Sequence, residues 1–258
     1  MGWGDELMAA GQAQARRADD PRGRRVRILD RHKQVRWHPL WEGNADIVRP
    51  NESGDFLYVL NGPGLRPYIA DKTPERWAWK NFTPTPAKIK FSKGERDLAR
   101  LGAGAILVEP GIKPKASPNK DWGWLRWQAL VASRPDWPWL QVGAPGAARL
   151  NGVRFLETSD FRQAMAVLAG CRFAVLPEGG LHHAAAAVGV PAVVIYGGYI
   201  SPAQTGYRLH RNLFTGVVPC GERQVCAHCT QAMSAITPEW VIDELQALII
   251  TKKEEIAA

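Results

Sequence analysis

The chain has 258 residues, 45% hydrophobic and 22% charged, with a net charge of +8. That supplies enough apolar material for a core in one large domain or two small ones, and four cysteines in this length do not make a disulfide scaffold. No apolar run approaches the ~20 residues of a membrane span. The start, Met1-Gly-Trp-Gly-Asp-Glu, lacks the basic and apolar stretches of a signal peptide, so a cytoplasmic location is expected.

Taken in chain order, Asp5 to Arg17 reads as a helix. Residues 25–29, 45–48 and 56–60 read as strands. From Gly62 to Lys93 the chain is rich in Pro, Trp and Lys, which predicts long loops and an acceptor-side surface. The small residues of Leu101-Gly-Ala-Gly104 suggest a boundary near 95–104, dividing the chain into residues 1–100 and 101–258.

Beyond it, strands are expected at 105–110, 139–143, 153–157, 173–176 and 192–196. Helices are expected over 121–133, from Ser159, and from about Leu181. The runs at 173–176 and 192–196 are apolar on both faces, as buried parallel strands must be. Such alternation predicts a doubly wound α/β sheet. A last helix is expected from about Pro238, packing back across the molecule.

The segment from Pro177 to Pro191 carries the clearest chemistry. A strand ends, Gly179 and Gly180 turn the chain, and a helix begins at once. Unpaired amides at a helix start, with the helix dipole behind them, attract anions, and glycines let a phosphate approach the backbone. Any strand–turn–helix uses such glycines, so the turn alone is weak evidence.

Glu178-Gly-Gly-Leu-His-His183-Ala-Ala-Ala resembles the Asp-Thr-Gly-Leu-x-His-Leu-Ala-Ala signature of the heptosyltransferase-like glycosyltransferases. The likeness continues through Gly189-Val-Pro191, Val194-Ile-Tyr-Gly197, Ser201-Pro202 and Thr205-Gly206. Asn119-Lys120-Asp121-Trp122 is similar to the family's Lys-x-Trp segment, and Gly2-Trp-Gly-Asp5 to its Gly-x-Gly-Asp loop. The resemblance covers about 150 C-terminal residues and the first dozen. It implies a GT-B fold, two Rossmann-like domains facing across a cleft, with the N-terminal one reduced.

It further implies a metal-independent, inverting transfer with no cofactor beyond a nucleotide-diphosphate sugar. Asp5 would be the general base, and Lys120 would stabilise the diphosphate leaving group. Gly4, Glu178, Gly179, Gly180, Leu181, His182 and His183 would complete the donor site, with a helix-surface or core histidine the equal alternative for His182. The loop Gly143-Ala-Pro-Gly146 lacks the acid expected near the ribose of an ADP-heptose, which leaves the donor open.

Charge bears on the acceptor. Residues 1–100 hold 19 Lys and Arg against 13 Asp and Glu, densest from Arg16 to Arg36. With Trp37, Trp41, Trp77 and Trp79 nearby, this tilts the expectation towards a hydroxymethylated base in DNA, ahead of a lipopolysaccharide core. A nucleotide-sugar-binding module without turnover is the third alternative.

Cys220, Cys226 and Cys229, beside His228, lie in a tail similar to the family's cysteine-containing tail, which requires no metal. Their spacing, Cys-x5-Cys-x2-Cys, is an imperfect zinc pattern, and neighbours 228 and 229 fit poorly on one ion. The tail is accordingly expected to be metal-free.

Overall fold

Helix α1 (Trp3–Ala18) has acids in its first turn and Arg16 and Arg17 in its last, complementing the helix dipole, and it buries Leu7, Met8, Ala10 and Ala13. That face lies on two parallel strands, β1 (Val26–Leu29) and β2 (Leu57–Leu60). Residues 45–48 do not form the third strand expected there. Only Ile47 bridges to Val26, because the Asp46 carbonyl and Val48 amide flank that single residue. The computed structural model describes residues 2–62, 64–113 and 117–257.

The Pro- and Trp-rich segment is not all loop. It contains an antiparallel hairpin of β3 (Ile69–Lys72) and β4 (Trp77–Trp79), too short and too irregular for an alternating pattern to register. Helix α2 (Lys93–Ala99), capped by Ser92 and Glu95, stands where a boundary was expected.

The rest is one six-stranded parallel sheet of β5 (Ile106–Val108), β6 (Trp139–Gly143), β7 (Arg154–Glu157), β8 (Phe173–Pro177), β9 (Ala192–Ile195) and β10 (Arg211–Leu213), in the order β10-β9-β8-β5-β6-β7. The helices are α3 (Trp124–Ser133), α4 (Phe161–Ala169), α5 (Gly180–Ala187), the short α6 (Pro202–Thr205), α7 (Ala227–Ser234) and α8 (Pro238–Ala257). Helix α3 starts three residues later than expected, because the Asp121 side chain accepts the Gly123 amide and makes a turn first. Asp160, not Ser159, caps α4 by accepting the Gln163 amide.

Alternate strand residues feed two apolar layers. Leu107, Leu140, Ala174, Leu176 and Val194 face α1, α4 and α5, in a cluster that runs on without a break to Val26, Ile28 and Trp41. Ile106, Val108, Val175, Val193 and Ile195 face α3 and α8. Helix α8 thus lies on α3, β9 and β10, and its main packing does not cross to the N-terminal half. No helix among the described residues is long and apolar enough to cross a membrane.

Backbones touch along the seam between the halves. A Cβ on Gly170, just past α4, would stand 1.8 Å from the Ala99 carbonyl oxygen at the end of α2. Within the N-terminal half, one on Gly11 of α1 would stand 1.9 Å from the Thr85 carbonyl oxygen. Beside the seam Arg162 of α4 is a clasp. It pairs with Glu95 at 2.5 Å and donates to the carbonyls of Pro39 and Lys90.

Candidate active site at the meeting of two helix starts

A doubly wound sheet binds ligands outside the carboxyl ends of its strands, where the winding reverses. Here the chain lays β6 and β7 on one side of β5, and β8, β9 and β10 on the other. The crevice between β5 and β8 is therefore dictated by topology, and an acid follows each strand: Glu109 and Glu178. A cavity of about 730 Å³ opens there. Its walls include Gly4 and Asp5 of α1, Lys120, and the turn Glu178-Gly179-Gly180-Leu181 with His183. Residues more than 170 positions apart in the chain share one space.

Of the helices that begin on that space, α1 and α5 meet directly. Gly4 packs on the first turn of α5: an added Cβ would lie 2.6 Å from the His183 ring and 3.4 Å from the Gly180 Cα. Trp3 stacks on Phe161 at 5.2 Å, with the rings nearly parallel, and Phe161 in turn closes over Gly180. These contacts hold the amide-rich starts of α1 and α5 side by side, concentrating partial positive charge on one cavity.

Asp5 is held from three sides. Its carboxylate accepts the Gly2 amide at 3.0 Å, pairs with Arg66 at 2.6 Å and accepts the Tyr68 hydroxyl at 3.3 Å. Burial, reinforced by the Asp5 charge, pushes the Tyr68 hydroxyl well above its usual range, so it stays a donor. Across the cavity Lys120 forms an ion pair with Glu178, its ammonium 5.4 Å from the Tyr199 ring centre. Burial alone would raise the Glu178 carboxyl, but Lys120 and its other neighbours more than offset that, and it stays charged.

The two histidines part company. His183 lines the cavity, with Nδ1 2.9 Å from the Tyr207 hydroxyl. Burial, helped by nearby positive groups, pushes it well below its usual value, so it is a neutral imidazole. His182 is fully buried and does not reach the cavity. Its ring lies 3.2 Å from the Gly179 carbonyl and 2.9 Å from that of Thr205. His182 thus takes the place of a core histidine, tying the glycine turn to α6 instead of lining the donor site.

Sequence inspection missed several cavity residues. Arg66 and Tyr68 come from the Pro- and Trp-rich segment, expected only as an acceptor-side surface, and they line the cavity beside Trp77 and Trp79, the two aromatics of that segment already singled out. Glu109 read as a strand end. Its carboxyl accepts the Gly111 amide at 2.8 Å, while its second oxygen is buried without a partner. Burial raises it to about 7. Asp160 and Thr158 line the wall near Gly143, where the β6 loop itself offers no acid.

The basic run from Arg16 to Arg36 is mostly neutralised in place. Arg17 pairs with Asp46 at 2.9 Å, Arg22 with Asp55 at 2.7 Å, Arg24 with Asp20 at 2.9 Å and Arg36 with Glu6 at 2.8 Å. Arg25 binds the Glu52 carboxylate, and Arg27 caps the Glu52 carbonyl beneath Phe56. Trp41 is buried and donates to the Glu6 carbonyl, and Trp37 lies edge-on to it under Arg49. Five of the nine cations of that run are thus ion-paired, mostly to acids from outside it, at positions that range from partly buried to exposed. Of the four tryptophans, only Trp77 and Trp79 line the cavity.

Residues 146–236 match the family model of glycosyltransferase family 9 (heptosyltransferase). A glycosyl transferase family 9 structure from Veillonella parvula superposes with a TM-score of 0.64 at 14% identity, covering 97% of this chain and 95% of that one. The ADP-heptose lipopolysaccharide heptosyltransferase II of E. coli gives 0.49 at 23% identity, over 70% of this chain and 56% of that one. The iron-containing dodecameric glycosyltransferase TibC of enterotoxigenic E. coli gives 0.48 at 13% identity, over 69% and 52%. The chain thus spans about half the length of these last two. No curated protein matches the sequence. Residues 146–236 are therefore similar to glycosyltransferase family 9 (heptosyltransferase), and the chain has a mixed α/β fold of the GT-B kind.

Proposed function

We propose that the chain transfers a sugar from a nucleotide-diphosphate sugar to an acceptor hydroxyl, by a single displacement with inversion and without a metal at the reacting centre. The observation that carries this is the shared cavity. Asp5 on one wall faces the glycine turn and Lys120 on the other. The diphosphate would lie at the start of α5, against the amides after Gly179 and the Lys120 ammonium. Glu178 holds that ammonium in place until phosphate oxygens compete for it.

The acceptor hydroxyl would enter beside Asp5, between Arg66 and the Trp77–Trp79 strand. Asp5 takes its proton as the oxygen attacks the anomeric carbon, and the bond to the diphosphate oxygen breaks on the opposite side. Negative charge growing on the leaving oxygen meets Lys120 and two helix starts, which are positioned before the reaction begins. Tyr68 and Arg66 fix the base carboxylate. Neutral His183, oriented by Tyr207, presents its other ring nitrogen towards Glu178 at 4.0 Å and can hydrogen-bond a donor hydroxyl.

With five of the nine cations of the Arg16–Arg36 run engaged in ion pairs, the acceptor reading moves from hydroxymethylated DNA to a sugar hydroxyl of a lipopolysaccharide-type core. The test is mass spectrometry of reactions pairing ADP-, UDP- and GDP-sugars with truncated lipopolysaccharide and with hydroxymethylated DNA. Sugar on the lipopolysaccharide, lost in Asp5→Asn, is expected. Sugar on DNA alone would restore the nucleic-acid acceptor. Donor binding with no product on either would leave a binding module.

A further inference from the structure

Behind the cavity wall, three cysteines and a histidine converge. The Cys220 sulfur is 3.3 Å from that of Cys229 and 3.8 Å from that of Cys226, and the ligand atoms of these three and His228 all lie within 4.8 Å of one another. Tetrahedral thiolates at a metal–sulfur distance of about 2.3 Å stand about 3.8 Å apart, so the spacing is that of a coordination shell.

The objection from sequence, that adjacent residues fit poorly on one ion, is met by the local fold. Cys226 directly precedes α7, and the first turn of that helix carries both His228 and Cys229. Cys229 points inward and is buried. The His228 ring lies over Gly198, where an added Cβ would sit 2.5 Å from Nδ1. Only the missing side chain at Gly198 lets the imidazole reach the sulfurs.

Two further features suit thiolates. The Glu222 amide donates to the Cys220 sulfur at 3.4 Å, a bond of the sort that fixes a ligating thiolate. Asn119 clamps the loop: its amide donates to the Glu222 and Gln224 carbonyls at 2.7 and 2.6 Å, and its oxygen accepts the Cys226 amide at 3.1 Å. The next residue is Lys120. On the other side Arg76 donates to the Cys220 carbonyl at 2.6 Å, and the Trp77 amide to that of Gly221 at 3.0 Å.

We propose that Cys220, Cys226, Cys229 and His228 bind one thiophilic transition-metal ion, zinc or ferrous iron, that staples the Lys120 turn and the β3–β4 hairpin to the sheet. None of the four residues lines the cavity, so the ion is structural and takes no part in transfer. Binding converts three thiols to thiolates and releases their protons to solvent. The site stands independently of the donor and acceptor assigned above.

The experiment uses the full chain, reduced and purified without metal-affinity resin or chelator. Elemental mass spectrometry is expected to find one zinc or iron per chain, and the element found decides between the two. After removal of the ion, cobalt(II) should give a thiolate charge-transfer band and the visible bands of a tetrahedral site. Chelation should lower the Tm, and zinc should restore it. Cys226→Ser, at a half-buried position, should lose the metal while keeping its circular dichroism. Exposed His228→Ala should surrender it to a chromophoric chelator at least ~10-fold more readily. Reduced protein with free thiols, no metal and no cobalt band would overturn the proposal. So would a Cys220–Cys229 disulfide in the non-reduced peptide map.

Discussion

The two halves of the cavity are built by different means. On the sheet side, Glu178 and the glycine turn are set by strands apolar on both faces and by a helix that must start where the strand ends. On the N-terminal side, Asp5 is set by a lattice of side chains bonded to its neighbour Glu6 from distant parts of the chain: Arg36 to the Glu6 carboxylate, Trp41 to the Glu6 carbonyl and Asn61 to the Glu6 side chain. The first kind of order comes from periodicity and burial. The second comes from charge and hydrogen-bond closure, and it should fail differently.

The sharpest break is expected at Asp5. Asp5→Asn keeps a side-chain acceptor for the Gly2 amide but cannot take a proton, so kcat should fall about 10²–10⁴-fold with the donor Kd nearly unchanged. Stopped transfer with intact donor binding, by calorimetry, is the check. Equal kcat in the variant would remove Asp5 from the chemistry.

Glu109 tests the sheet side through pH. Its carboxyl is raised by burial to about 7 when folded, against about 4.5 when unfolded. Between those values the unfolded chain gives up the proton first, so stability falls as pH rises from about 4.5 to about 7 and stays low above. Glu109→Gln should remove that loss, gaining up to about 3 kcal/mol at pH 8 and nothing at pH 4. Urea melts at the two pH values measure it, and equal gains at both would discredit the burial argument.

Lys120→Ala should cost about 10²-fold in kcat/KM, felt mainly as weaker donor binding. Glu178→Gln in the same chain should relieve the unpaired buried acid and recover stability without recovering activity. Recovery of activity would mean that Lys120 serves Glu178 rather than the diphosphate.

The smallest effect is expected at the clasp. Arg162→Ala should lower stability by about 1–2 kcal/mol, most of it at neutral pH. The hydrogen bond from Arg162 holds Glu95 at about 2 in the folded chain. The contribution is therefore complete above about 4.5 and is lost as pH falls towards about 2. A cost that persists unchanged near pH 2 would locate it in packing instead.

The legible part of the molecule was the sheet. Runs such as Phe173–Leu176 could only be buried strands, and the glycine turn after them could only face the crevice. That Asp5 and Lys120 line one cavity followed from motif resemblance, not from any local pattern. Arg66, Tyr68 and Glu109 were not legible, because nothing near them in the chain announces the cavity. Arg66 meets Asp5 across 61 residues, a pairing that no periodicity encodes. The pairing within the charge run was not legible for the same reason. Counting Arg16–Arg36 weighs cations without the acids, at Asp46, Glu52 and Asp55, that close over them.

The seam at Gly170 makes α4 a lever. The helix is nine residues long, about 13 Å. Its far end abuts the Ala99 carbonyl, and its near end carries Phe161 against Trp3 and Gly180. A methyl group wedged in at Gly170 would swing the near end and loosen the aromatic latch between the two helix starts. Donor affinity would then be tunable from a position that no ligand touches.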